Sequence, residues 1–395
     1  MLQLNSISRI NVLLIFFILL LISCSKGRNN FDQQVDGNYF LKDSISISID
    51  SISNYDFNYF DVGKIDGNEK LIILNQVNSS LDFYNLTSGG LEDRFLIPQD
   101  GPTPVVGTQG MLFHNQDSIF VFTSYLLAKF GLFDGTGEIR SLHSTSIESD
   151  NPMDRLLNHS STPTIPTIYL NGKLYFTKMT MGNPTGNPDF SKSHIAEFIY
   201  YLKNDSVVQI QNLKMPSNFE GITMPLSFSF HSKALNDSNE FVISWFASDS
   251  LYVYDTDFNQ KSVYLGKSGL SKEFEKTTHQ LSKEETDRLT ISQTHYPRII
   301  FDPFRQLYYR FVHVARKYDP NELIDHKSIQ KNPFSVIVLD KNFNHLGEVV
   351  FPGSKYNLYK AFVAENGLYL PLSNIFYVNL NEDEVKYEIF DFGDM

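Results

Sequence analysis

One pattern limits what this chain can fold into more than any other: a polar tight turn leading into a strand that opens on an apolar pair, present six times. It runs through Glu69-Lys70-Leu71-Ile72, Asp117-Ser118-Ile119-Phe120, Gly172-Lys173-Leu174-Tyr175, Asn239-Glu240-Phe241-Val242, Arg305-Gln306-Leu307-Tyr308 and Asn366-Gly367-Leu368-Tyr369. A second turn follows each, an apolar or aromatic pair running into Asp or Asn. It reads Phe83-Tyr84-Asn85, Leu132-Phe133-Asp134, Val253-Tyr254-Asp255, Leu339-Asp340 and Tyr377-Val378-Asn379, with a looser Tyr200–Asp205 in the third unit. Asp and Asn suit such turns because their side chains accept from their own backbone two residues on. Each unit therefore reads as four antiparallel strands, A to D, with tight A–B and C–D turns. The second unit shows it as Gln109–His114, Ser118–Thr123, Ala128–Asp134 and Glu138–His143. Such a unit needs neighbours on both sides to bury its faces. The fold expected is all-β, a six-bladed β-propeller of four-stranded antiparallel blades; seven blades or a large β-sandwich are the alternatives.

Composition agrees. The 33 Phe and 21 Tyr, with Val, Ile and Thr, favour pleated strands over helices. Ser44–Ile49 alternates Ser with Ile ahead of the first complete unit, so it is free to pair with the last blade and close the ring. Its rank in that sheet stays open. Only Ser271–Leu289 reads as helical, a charged surface excursion without a wide apolar face.

The N-terminus points to export. Val12–Ile22 is an unbroken apolar run after Arg9, too short to span a bilayer and of the length of a secretory signal. Leu21-Ile22-Ser23-Cys24 resembles the lipobox of bacterial lipoproteins, which makes Cys24, the sole cysteine, the expected lipidation site. The division expected is a signal peptide over 1–23, a lipidated tether over 24–37 and one propeller domain over 38–395. No disulfide is available, so apolar burial and sheet hydrogen bonding must stabilise the fold. Ser25-Lys26-Gly27-Arg28 carries no Asp for inner-membrane retention. The expected location is therefore the outer membrane, facing the periplasm, with the cell surface as the alternative. A net charge of −12 argues against a nucleic-acid partner and against lying flat on anionic lipid.

Three local patterns carry a family resemblance: Asp100-Gly101-Pro102 with Val106-Gly107 and Phe113–Val121; Tyr296–Phe311; and the lipobox. Together they resemble a DUF4221-like family of Bacteroidetes lipoproteins of unknown function, related to six-bladed propellers. The resemblance implies a propeller and an envelope location, and it brings no catalytic residues.

Long connections fall on one face of the expected propeller: the B–C links Met179–Ser193 and Lys317–Asn332, and the D–A links Pro98–Thr108, Ser144–Thr164 and Gly266–Thr294. Long loops on a rigid scaffold are where function concentrates. Their polar residues Arg155, His159, His194, Glu197, His295, Arg298 and Arg316 form the candidate binding face, with Arg and His on a concave rim suited to a carboxylate or sugar acid. His114 and His231 end matching A strands and are expected to cap their own turns. The histidines lack metal-ligand spacing, G-x-S-x-G is absent, and the Asp255–Asn259 turn lacks the Gly and Glu of a calcium loop, so no metal, cofactor or catalytic residue is assigned. The expected function is a non-enzymatic, lipid-anchored envelope protein that binds a protein, peptide or carbohydrate on its long-loop face. The rival is a polysaccharide-directed lyase or hydrolase working in the channel.

Overall fold

The turn-and-strand units fold as six antiparallel sheets in the computed structural model, which describes residues 34–123, 126–145, 157–179 and 182–395. Cys24, the signal and tether ahead of Gln34, and Arg155 lie outside the described residues. Strands A to D of blade 1 are Phe60–Ile65, Asn68–Asn75, Ser80–Asn85 and Leu91–Leu96. Blade 2 comprises Thr108–Asn115, Ser118–Thr123, Lys129–Phe133 and Ile139–Ser144. In blade 3 the innermost strand is split into His159–Ser160 and Ile168–Leu170, both pairing with Lys173–Lys178, followed by Glu197–Tyr201 and Ser206–Ile210. Blade 4 runs His231–Leu235, Phe241–Trp245, Ser250–Tyr254 and Gln260–Leu265. Blade 5 runs His295–Asp302, Leu307–His313, Phe334–Asp340 and His345–Phe351.

Blade 6 settles the ring closure. Phe362–Ala364, Gly367–Pro371 and Glu384–Phe390 supply A to C, and Leu41–Ser48 pairs with Glu384–Phe390 as its outermost strand. The chain's last blade thus takes strand D from the beginning of the fold. Tyr377–Asn379 is accordingly not a C–D turn; it lies in the B–C link, and the expectation is corrected. Gln34–Asp36, given to the tether by the sequence reading, adds a parallel strand outside His345–Phe351.

Each blade is apolar on both faces, which is why its central strands read as continuous apolar runs. In Asn68–Asn75, Leu71 and Ile73 pack toward blade 6 while Ile72 and Leu74 pack toward blade 2, the period-2 alternation of a strand. Six core clusters result, one at each junction between neighbouring blades, blades 6 and 1 included. Aromatics dominate them: Phe120, Phe130, Phe176 and Phe198 fill the junction of blades 2 and 3. The helix is shorter and later than the sequence suggests, Lys283–Ser292, because Ser282 and Glu285 form a capping box that fixes its start. Leu289 and Ile291 bury its inner side.

Candidate channel-mouth site

The six A strands surround a central cavity of about 720 Å³. Its residues come from the middles and far ends of those strands and from the A–B turns at Glu69 and Pro303-Phe304, so it opens on the short-turn face. At the inner end its lining comes from the D–A link into blade 3, through Thr162, Pro163 and Pro166. The short helix Leu358–Lys360 presents its Leu358 and Tyr359 carbonyls to Arg298 beside it.

The innermost strand of a blade has no neighbour on its channel side, so its backbone groups need other partners. Polar side chains answer this. The Asp61 carboxylate accepts from its neighbour Val62 N and, across the gap to blade 2, from Phe113 N, each at 2.9 Å. Ser232 Oγ accepts from Ile299 N at 3.2 Å and donates to the Thr164 carbonyl at 2.6 Å. Burial pushes the Asp61 pKa up to about 6, against the opposing pull of those two amides and of Arg298. Its carboxyl is therefore poised near neutrality inside the cavity.

Aromatic rings build the walls: Phe60, Phe113, Tyr169, Phe301, Phe304 and Phe362. Phe113 lies flat over blade 1 because Gly63 carries no Cβ; one there would overlap the ring. His114 lies tilted against Tyr169 with ring centroids 4.1 Å apart, while His231 opens its strand and donates from Nε2 to the Glu197 carboxylate. The two histidines are thus not equivalent, and neither caps a turn as expected. At the rim, Lys64 pairs with Glu365.

A fully buried polar cluster ties blades 3 and 4 together beside the cavity. Glu197 Oε2 meets Lys233 Nζ at 2.5 Å, and its Oε1 meets His231 Nε2 at 2.8 Å and Thr177 Oγ1 at 2.7 Å. Lys233 also donates to the Tyr175 carbonyl at 3.1 Å. Burial acts to raise the Glu197 pKa, yet the Lys233 cation outweighs it and the carboxylate stays ionised.

A sequence profile of the family described as "Domain of unknown function (DUF4221)" matches residues 37–349. The chain belongs to this family. A crystal structure of a DUF4221 member from Bacteroides vulgatus is similar over 89% of this chain and 97% of its own, with TM-score 0.77 and 21% identity. A candidate exported protein from Bacteroides fragilis is similar over 91% and 98%, with TM-score 0.51 and 11% identity. Both likenesses concern the fold. No curated protein matches this chain in sequence.

In this DUF4221 chain the seven residues of the long-loop reading meet different fates. Arg155 lies outside the described residues. His159, His194, Glu197, His295 and Arg298 are buried rather than set on a solvated rim, and all but His194 sit on blade strands rather than on the links. His159 bonds Ser161 Oγ at 2.9 Å, and His194 stacks on Phe190 at 4.9 Å. Burial lowers the pKa of His194 to about 3 and that of His295 to about 4, so both imidazoles are neutral. Arg316 is half-buried, bonded to Asn332 Oδ1 and paired with Glu322, each at 2.7 Å. Of the six described, Arg298 alone lines the channel cavity. Asp61, Phe113, Tyr169, Lys233 and Phe301 were missed as site residues, although Phe113 and Phe301 stand in two of the three stretches that carry the family resemblance.

Proposed function

We propose that this chain is a lipid-anchored protein of the bacterial envelope whose propeller takes a small ring-bearing ligand, a carbohydrate or a peptide segment, into the channel mouth on its short-turn face. The cavity carries the reading. Its volume of about 720 Å³ falls in the range of small-molecule sites, roughly 300–1,000 Å³. Its walls are aromatic, and Asp61 and Arg298 supply the few polar groups such a site uses for orientation. The long-loop face contributes the inner end rather than the entrance.

The test is calorimetric titration with a panel of mono- and disaccharides and dipeptides, repeated on Phe113→Ala. Binding that weakens about tenfold in the variant supports the site; binding that ignores the change argues against it. Anchoring rests on Cys24 closing the apolar run, and the outer membrane on the residues after it. Cys24→Ala should leave the chain unacylated and release it from the membrane fraction; a variant that stays with the membrane contradicts the anchor.

Asp61 favours a second reading, catalysis on a polysaccharide in the same channel. A carboxyl titrating at about 6 is suited to general acid–base work near neutral pH. Turnover lost in Asp61→Asn with binding retained would establish it.

A further inference from the structure

We propose that Arg298 anchors a carboxylate subsite at the inner end of the channel, so that the ligand is a small organic acid whose carboxylate is borne on a ring. This rests on the channel reading above and names the chemistry of its ligand.

Two buried arginines in blade 5 make the contrast. A guanidinium offers five N–H donors. Arg310 satisfies itself through five hydrogen bonds: to Ser244 Oγ and to the carbonyls of Ser248, Asp249, Ser250 and Gly266, at 2.6–3.3 Å. Its guanidinium also lies 3.7 Å from the Tyr296 ring centroid. That is how this fold treats an arginine that only holds structure together.

Arg298 is treated differently. It is 4% exposed, and only one terminal nitrogen is engaged, donating to the carbonyls of Leu358 and Tyr359 at 3.2 and 3.3 Å. Its Nε is buried without a hydrogen-bond partner, and no carboxylate pairs with it among the described residues. Its one ring contact is weaker than that of Arg310, the Phe311 centroid lying 5.9 Å from the guanidinium carbon, and a buried cation with no carboxylate on its nitrogens is among the costlier features a protein can carry. Asp61 does not relieve it, because the Asp61 oxygens are held by the Val62 and Phe113 amides. The unpaired donors belong to a side chain that lines the cavity.

A carboxylate presents two oxygens that match the guanidinium fork. Asp61 nearby disfavours a dianion, which selects a carboxylate over a phosphate. The aromatic walls then select a ring as the body that carries it. Sugar acids and aromatic acids share this chemistry, and the experiment separates them.

Full-length protein is titrated with D-galacturonate, D-galactose and benzoate. The expected result is that at least one acid binds more tightly than the neutral sugar, and which acid does so identifies the source. Arg298→Lys keeps the charge but loses the fork, so acid affinity should fall about tenfold while any galactose binding holds. Asp61→Asn removes a neighbouring negative charge and should tighten the acid. Should Arg298→Lys fail to fold, the wild-type comparison and Asp61→Asn decide. Equal affinity for acid and neutral sugar, or an acid affinity indifferent to Arg298→Lys in a folded variant, overturns the subsite while leaving the channel reading intact. If neither acid nor sugar binds, the subsite falls; the channel reading is then judged separately on the dipeptides and disaccharides.

Discussion

Two turns show how single residues hold the blades in register. Asp255 Oδ1 accepts from Asp257 N and Asn259 N at 3.0 and 2.9 Å, and Asp340 Oδ1 accepts from Asn342 N and Asn344 N, each at 2.8 Å. Each turn holds a phenylalanine at positive φ, Phe258 at 57° and Phe343 at 64°. That conformation costs roughly 1–2 kcal/mol for a residue with a side chain. It is held because the rings are packed: Phe258 stacks on Phe241 at 5.1 Å and Phe343 on Tyr308 at 4.8 Å. The buried histidines set the pH response. Burial lowers the pKa of His194, His231, His295 and His313, so the unfolded chain binds more protons than the native one below about pH 6.5. Stability is therefore present above that value and lost as pH falls, by roughly 1.5 kcal/mol each for His194 and His295 between pH 6.5 and 5, with His231 and His313 acting in the same direction. Asp61, with its raised pKa, acts in the opposite sense: its contribution is largest below about pH 4 and is lost as pH rises through about 6. Four imidazoles outweigh one carboxyl, so melting temperature should drop from pH 7.5 to pH 5; a flat or rising profile would contradict the burial of these groups. The Asx turns were legible in the sequence because their chemistry is local. The burial of His194 and Arg298 was not, because it depends on packing contributed by other blades.

The element that decides closure is Leu41–Ser48. Without it, Glu384–Phe390 would be an unpaired edge, and the junction of blades 6 and 1 would lose Ile47, which is fully buried there. Ile47→Ala should lower the unfolding free energy by about 2–5 kcal/mol, read from urea denaturation, whereas Ser44→Ala on the exposed side should change it little. Equal effects would mean that the strand is not part of the ring. Sequence alternation identified this strand but not its rank, because rank follows from where the chain runs out of strands. The same cause explains Tyr377–Asn379, an aromatic–apolar pair before Asn that lies ahead of strand C rather than after it, since strand D comes from the start of the fold. The link Gly182–Asp189 is likewise less free than a surface loop. Pro184, Thr185 and Pro188 carbonyls accept from Met224, Leu281 and Gly221 N at 3.0, 2.8 and 3.1 Å, stitching three links into one layer.

At the scale of the whole molecule, the six-fold repetition makes a ring, and its axis leaves a cavity that no single blade defines. Repeat spacing makes the ring readable from sequence, since each blade carries its own turn signals. The cavity is not readable in that way: Asp61, Phe113, Tyr169, Lys233, Arg298 and Phe362 are scattered over the chain and meet only when the ring closes. Loop length pointed to one face, and a link there turned out to line the inner end of the channel. The deciding measurement uses the chain's single native cysteine to advantage. In a Cys24→Ser background, Phe304→Cys, 48% exposed at the mouth, and Leu323→Cys, 94% exposed on the long-loop face, are each labelled with a bulky maleimide. Binding of the saccharide and dipeptide panel is then measured before and after labelling. An adduct at 304 should abolish binding and one at 323 should leave it unchanged; the reverse result would place the ligand on the long-loop face and contradict the account.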